Sequence, residues 1–380
     1  MADLFLYGTL CHLPLLARVL GRDIGDIAAE PASLADWTVS WVADESFPMI
    51  HARPGAEARG IVLRDPGAED LARLDHYEGG FGYALKTLRV RSDAGEGPAQ
   101  VYLPHPDRWT PGVPWDLEAW VADQGALALE AATEVMERMG TTSAQEIGGL
   151  FPWIRARAWA RLLAREAAPC ELRKAPRKDA FRIEKLRKGY DGFFRLRVFD
   201  LSFLRFDGKR TAPFTREAYV AFDAALVLPY DPVSDKVMLI EQLRFGPIWR
   251  GDPAAWVLEP IAGLVDAGER PADCARREAR EEAGIELGDL QKMTKVYATP
   301  GYSTEFFHCY LGLCHLEDTQ GGLAGLEHEH EDIRSHVLSF DRAMALVDSG
   351  EINAAPLAMM MLWLARHREE LREKGLPARS

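Results

Sequence analysis

Cysteine is sparse in this chain. Its five residues, Cys11, Cys170, Cys274, Cys309 and Cys314, form no CxxC pair and no framework spacing, which excludes a zinc ribbon and a disulfide scaffold. Reduced thiols, and hence a cytoplasmic protein, are the expectation. Long apolar runs are also missing. Leu4-Phe5-Leu6-Tyr7 follows no basic segment and is far too short for a signal peptide or a membrane span, so neither export nor membrane insertion is expected. Positive charge is outnumbered, 45 Lys and Arg against 58 Asp and Glu, for a formal net charge of −13. Broad contact with nucleic acid needs the opposite balance, because its affinity comes from cations neutralising phosphates. No internal repeat or low-complexity segment is visible.

What is present is the composition of a globular protein, 47% hydrophobic and 27% charged over 380 residues, enough for two or three compact units. Up to about residue 114 the pattern is of short strands closed by turns, such as Leu4 to Tyr7 and Gly60 to Leu63, with an amphipathic helix leading to Tyr77. After Pro114 the residues favour helix: Ala126 to Met139, stopped at Gly140, and a second helix entered at Pro152. The segment 115–173 is therefore read as a helical connector between domains 1–114 and 174–380. Arg155, Arg157, Arg161 and Arg165 lie along the second helix, where a solvated or salt-bridged face is expected rather than a nucleic-acid surface. Strands return at Phe193 to Phe199, Tyr219 to Pro229 and Lys236 to Ile240, and helix alternates with strand after Pro271, an α/β pattern.

One stretch carries chemistry. Pro271 suits a first helical turn, Asp273 its positive end, and Gly284 its stop, which predicts a helix of three to four turns. Ala275, Ala279 and Ala283 give it a smooth face. Glu278, Glu281 and Glu282 converge on another, since residues three and four apart are neighbours. A glutamate-rich helix face is commonly just solvated. Converging carboxylates also suit a hard divalent cation such as Mg²⁺, which completes its shell with water and substrate phosphates. Spacing separates the two readings: Gly263, five residues, Glu269, seven residues, Arg277-Glu278, two residues, Glu281-Glu282, one residue, Gly284.

That spacing resembles the Nudix box, and the resemblance to Nudix hydrolases runs from about Lys174 to His367. It implies an α/β/α sandwich with a mixed sheet and a Mg²⁺ site, open to Mn²⁺, made by Glu278, Glu281, Glu282 and the carbonyl of Ala262. It also implies a Glu269–Arg277 pair holding loop to helix. Ala279 departs from the larger aliphatic residue usual there, a matter of packing. Pro300, sixteen residues past Gly284, and the acidic stretch Glu327 to Ile333 resemble the ADP-ribose pyrophosphatase branch. By that resemblance Glu329, or else Glu331, is the catalytic base, Arg216 and Arg244 contact the ligand, Phe194 stacks on adenine, and the protein is a homodimer with exchanged strands. His328 and His330 could also act, though histidines flanking such a loop are more commonly solvated, and a Phe pair in a strand is equally a core feature. The expected reaction is ADP-ribose and water to AMP and ribose 5-phosphate. The alternatives are another nucleoside diphosphate sugar, or an ADP-ribose sensor without turnover, against which the complete glutamate set speaks.

At the other end, Leu6-Tyr7-Gly8-Thr9-Leu10 is followed about seventy residues later by Leu74-Asp75-His76-Tyr77-Glu78-Gly79. With Tyr83 and the strand Val101-Tyr102-Leu103, this order resembles the γ-glutamylcyclotransferase-like (AIG2-like) family over roughly Ala2 to Pro104. The resemblance implies a β-barrel with helices, a γ-glutamyl group held at the Tyr7, Gly8, Thr9 and Leu10 turn, and Glu78 accepting a proton from its α-amine. A glutamate before glycine is equally a plain helix end. The overall arrangement resembles bacterial proteins associated with tellurite resistance.

Overall fold

The structure, a computed structural model, describes residues 2–166, 169–174, 177–316, 319, 321–325 and 331–376. Contacts divide the chain into two units, Met1–Ala168 and Pro169–Ser380.

In the first unit, β1 (Asp3–Leu6) is buried on both faces and threads between β3 (Pro48–Leu63), antiparallel, and β5 (Gly95–Pro104), parallel. β4 (Tyr83–Ser92) follows β5, and β2 (Ala29–Val42) pairs with both β4 and β3. The order β3-β1-β5-β4-β2 therefore closes on itself as a five-stranded barrel, with β6 (Pro111–Pro114) added outside on β2. The short strand expected at Gly60 to Leu63 is the end of this sixteen-residue β3. Such a length is possible because the β2–β3 hairpin bends at a register shift between Ala35 and Trp37, with Asp36 in the left-handed region. Phe5, Leu34, Ile50, Val62 and Val101 fill the barrel.

Helices α1 (Leu13–Leu20), α2 (Ala68–Glu78), α3 (Leu117–Glu137) and α4 (Ala144–Leu163) complete this unit. The two helices of segment 115–173 thus pack within it. A Cβ on Gly80, just after α2, would stand 2.2 Å from the Ala144 carbonyl of α4, and His76 of α2 meets the Val135 carbonyl of α3 at 3.1 Å. α3 starts earlier than composition implied, because the Asp116 carboxylate caps it by accepting the Ala119 N–H. α4 also starts early, at a Ser143–Glu146 capping box, so Pro152 lies inside the helix rather than at its first turn. The arginines of α4 turn onto α3: Arg157 meets the buried Glu134 at 2.7 Å, Arg161 meets Glu130 and Glu134, and Arg165 meets Glu130.

The second unit opens with an antiparallel sheet of β7 (Phe181–Asp191), β8 (Arg195–Phe203) and β9 (Phe214–Val220). The strand expected from Tyr219 to Pro229 is broken, because the chain changes sheets at Ala221-Phe222 before β10 (Asp223–Asp231). β10 is buried throughout. It pairs in parallel with β15 (Phe306–Leu313) and antiparallel with β11 (Lys236–Leu243) and β13 (Ile261–Leu264). β12 (Trp256–Glu259), β14 (Leu290–Tyr297), β16 (Leu323–Ala324) and β17 (Ile333–Ser339) complete a mixed sheet, and α5 (Phe245–Arg250) links β11 to β12.

Alternation along β10 sends Ala224, Leu226, Leu228 and Tyr230 into one core with α7 (Phe340–Ser349) and α8 (Ala355–Lys374). α6 (Pro271–Ala283) packs on β10 and β13, where fully buried Ala275 and Ala279 allow close approach. The result is an α/β/α sandwich. Among the described residues, no helix is long and apolar enough to cross a membrane.

Candidate active sites

α6 keeps its register with Pro271 in the first turn and Gly284 closing it at φ +62°. This sets Glu278 against β13 so tightly that a Cβ on Gly263 would fall 1.7 Å from the Glu278 Oε1. One turn on, Glu282 is only 3% exposed, and its carboxylate accepts the Ala262 N–H at 3.0 Å. Glu281 sits outermost, with 35% of its side chain exposed. Arg277 organises all of this. Its guanidinium reaches both oxygens of Glu269 at 3.1 Å, donates to the Leu264 carbonyl, and donates through Nη1 to Glu278 at 2.6 Å and Glu281 at 3.0 Å.

Burial pushes the Glu278 carboxyl up to about 7, against the pull of Arg277 and with the help of Glu281 and Glu331. Burial pushes Glu282 up to about 8, offset by the Ala262 N–H and raised further by Glu278 and Glu331. Arg277 is itself partly buried, which disfavours its charge, but Glu269 and Glu278 outweigh that and hold it protonated. Among the described residues no three acidic, thiol or imidazole groups form a ready-made metal cage. Arg277 occupies the space between Glu278 and Glu281, and Glu282 is turned to the backbone. The donor set is nonetheless hard oxygen, with the buried Glu282 one turn from the partly buried Glu278, two carboxylates that repel each other, and it fits a hard cation.

Arg244, at the end of β11, ion-pairs with Glu259 at 2.7 Å, and its charge reaches Glu282 and Glu305. Glu259 and Glu305 are both raised by burial, with Arg244 opposing. Neither glutamate was singled out from sequence, because each is an isolated strand-end or loop carboxylate until the sheet forms. Glu331 is close enough for its charge to act on Glu278 and Glu282; Glu329, His328 and His330 lie outside the described residues. Arg216 projects from β9 over the Phe214 ring at 4.5 Å, exposed, and is not joined to the glutamates. Phe194 packs on Tyr219 at 4.7 Å beside Phe193 and Phe222. Pro300 is in an exposed turn whose Tyr302 carbonyl accepts the Tyr219 N–H at 2.7 Å, so these two features share one neighbourhood.

In the first unit, β1 runs into Tyr7 and Gly8 and then a single 3-10 turn, Thr9–Cys11, with Leu10 buried. The Tyr7 hydroxyl donates to the Tyr102 carbonyl at 2.7 Å, and the Tyr102 hydroxyl donates to Asp75 at 2.7 Å. Gly8 passes under Pro48, where a Cβ would stand 2.9 Å from Cγ. Glu78 is the last residue of α2, partly buried, and burial pushes it up to about 7. Among the described residues no hydrogen bond or ion pair reaches its carboxylate. Tyr7, Tyr77, Tyr83 and Tyr102 surround it: burial raises each phenol, and the charge of Glu78 adds to each. The structure thus brings Tyr7, at the head of the Tyr7–Leu10 turn, near Glu78, whose carboxylate has no hydrogen-bond or ion-pair partner among the described residues.

These two geometries define a barrel with a partly buried glutamate and a sandwich with a glutamate helix, and comparison with known proteins assigns both. A model of the gamma-glutamyl cyclotransferase, AIG2-like domain matches residues 4–121, and a model of the NUDIX domain matches residues 221–358. The ADP-ribose pyrophosphatase of Escherichia coli (strain K12) is 36% identical over 185 residues, 49% of this chain and 88% of that protein. That of Haemophilus influenzae is 34% identical over 187 residues, 48% and 85% of the two chains. A GDP-mannose pyrophosphatase of Escherichia coli O1:K1 / APEC is 32% identical over 174 residues, 46% and 89%. The chain belongs to the Nudix family, and it carries a γ-glutamyl cyclotransferase, AIG2-like domain ahead of its Nudix domain.

Proposed function

We propose that the second unit hydrolyses the pyrophosphate bond of ADP-ribose, giving AMP and ribose 5-phosphate, with Mg²⁺, or Mn²⁺ in its place, held by Glu278, Glu281, Glu282 and the Ala262 carbonyl. The observation that carries this is the buried Glu282 one turn from the partly buried Glu278, with the charge of Arg244 acting on Glu282. Bound there, the cation supplies charge neutralisation at the phosphoryl oxygens and acidifies a coordinated water. Glu329, with Glu331 as the second candidate, accepts the proton of the attacking water as its oxygen bonds to phosphorus and the bridging P–O bond breaks. Arg244 and Arg216 hold phosphate or ribose oxygens as planar forks. Phe194 stacks on the adenine, and the Pro300 turn borders the substrate.

A homodimer is part of this reading. β7 exposes Phe181, Ile183, Leu186 and Tyr190 at 63%, 48%, 54% and 66%, an apolar row suited to burial against a second copy, and Arg216 would then serve a shared site. The relatives include enzymes named for ADP-ribose and for GDP-mannose, so initial rates on ADP-ribose, ADP-glucose, GDP-mannose and NADH test the choice. ADP-ribose is expected to give the highest kcat/KM; a higher value for GDP-mannose would replace it.

For the first unit a second activity is favoured by the unpartnered Glu78. The Tyr7–Leu10 turn holds a γ-glutamyl group, and Glu78 takes a proton from its α-amine. The amine nitrogen bonds to the γ-carbonyl carbon, the old amide C–N bond breaks, and the proton passes to the departing nitrogen, leaving 5-oxoproline. Incubation of the full-length protein with γ-glutamyl dipeptides, followed by assay for 5-oxoproline, tests this.

A further inference from the structure

A row of aromatic rings leads away from Glu78. Tyr102 and Tyr83 stand 6.4 Å apart, Tyr83 and Trp109 5.4 Å, and Trp109 and Phe47 5.3 Å. Tyr83, Trp109 and Phe47 are only partly buried, so each keeps surface for a ligand. The row ends in a cation. Arg108 lies over the Trp109 ring at 5.0 Å and across Gly82, where a Cβ would meet its Nη1 at 2.5 Å. Gly82 has φ +73°, so both its backbone and the space above it favour glycine. Among the described residues no carboxylate pairs with Arg108, although 58 acidic side chains are present in the chain. The charges of Glu78 and Arg108 both act on the Tyr83 phenol, in opposite senses, so Tyr83 is near each of them.

We infer that the first unit takes γ-glutamyl amino acids with an aromatic side chain, with Arg108 binding the free carboxylate of the departing amino acid and Tyr83 and Trp109 its ring. The inference rests on the γ-glutamyl reading of the Glu78 site. A guanidinium held over an indole, with no carboxylate paired to it among the described residues, can offer its planar fork for a two-point contact with a carboxylate. A γ-glutamyl alkylamine has no group to meet it. The ring row adds apolar and edge-to-face contact that a glycyl or alanyl group would not use.

The test compares γ-glutamylphenylalanine with γ-glutamylphenethylamine, which differs only by the carboxylate, and with γ-glutamylglycine, using the full-length protein and Arg108→Met. The wild type is expected to favour γ-glutamylphenylalanine over each of the others by roughly tenfold in kcat/KM, mainly through KM. In Arg108→Met the preference over γ-glutamylphenethylamine should fall toward one, while Arg108→Lys keeps part of it. A wild-type ratio near one, or a ratio that Arg108→Met leaves intact, overturns the inference. If no compound yields 5-oxoproline, cyclisation is refuted, and calorimetric binding of the same compounds decides the site. Arg108-dependent preference for the carboxylated compound upholds it; absent or Arg108-independent binding refutes it.

Discussion

Glu278 and Gly263 meet so closely that any side chain on residue 263 would displace the carboxylate, its Cβ standing 1.7 Å from Oε1. The glycine that opens the box is thus a steric requirement of a glutamate fifteen residues later. Gly263→Ala is expected to lower nucleotide-sugar hydrolysis by about 10²-fold while costing only about 1–3 kcal/mol in stability, the usual range for an overpacked site. Steady-state kinetics and urea unfolding check both parts.

Arg277 contacts Glu269, Glu278 and Glu281 together through one guanidinium. Arg277→Met removes the guanidinium that all three carboxylates share, and a loss of about 2–4 kcal/mol is expected from breaking a partly buried network. Mg²⁺ should restore more stability to this variant than to the wild type, measured by unfolding with and without the ion.

Much of this was legible locally. The box helix could be placed to the residue because its caps, Pro271 and Gly284, and its alanine and glutamate faces lie within fourteen positions. Pro152 misled because proline favours a first turn, whereas the Ser143–Glu146 box starts that helix earlier. Glu259, Glu305 and Arg108 carried no local signal. Glu259 and Glu305 come near Arg244 only once the sheet has formed, and although Arg108 neighbours Trp109 in sequence, its position over that ring and across Gly82 is set by the turn.

Glu78 offers a test through pH. Its folded carboxyl titrates near 7, above the ordinary 4.5, so the folded state holds a proton that the unfolded state has released. That contribution is full below about pH 4.5 and is lost as pH rises through about 7. Glu78→Gln, which is never charged, should therefore unfold several degrees higher than the wild type at pH 8 and no higher at pH 4.5, followed by thermal scans of the full chain. Formation of 5-oxoproline needs the ionised form, so kcat/KM should rise across pH 7 in the wild type and be absent in the variant.

The exposed row of β7 predicts that the full-length protein runs as two chains in light scattering. Leu186→Glu should shift it toward one chain and lower hydrolysis with it, if Arg216 serves a shared site.

The central claim is metal-dependent cleavage by the glutamates of α6. It is tested most directly by AMP release from ADP-ribose, with Mg²⁺ and with EDTA, for the wild type and Glu282→Gln. The account predicts equimolar AMP and ribose 5-phosphate from the wild type with Mg²⁺ only, and a loss of about 10³-fold or more in the variant. Full activity in Glu282→Gln, or release without a divalent ion, would contradict it.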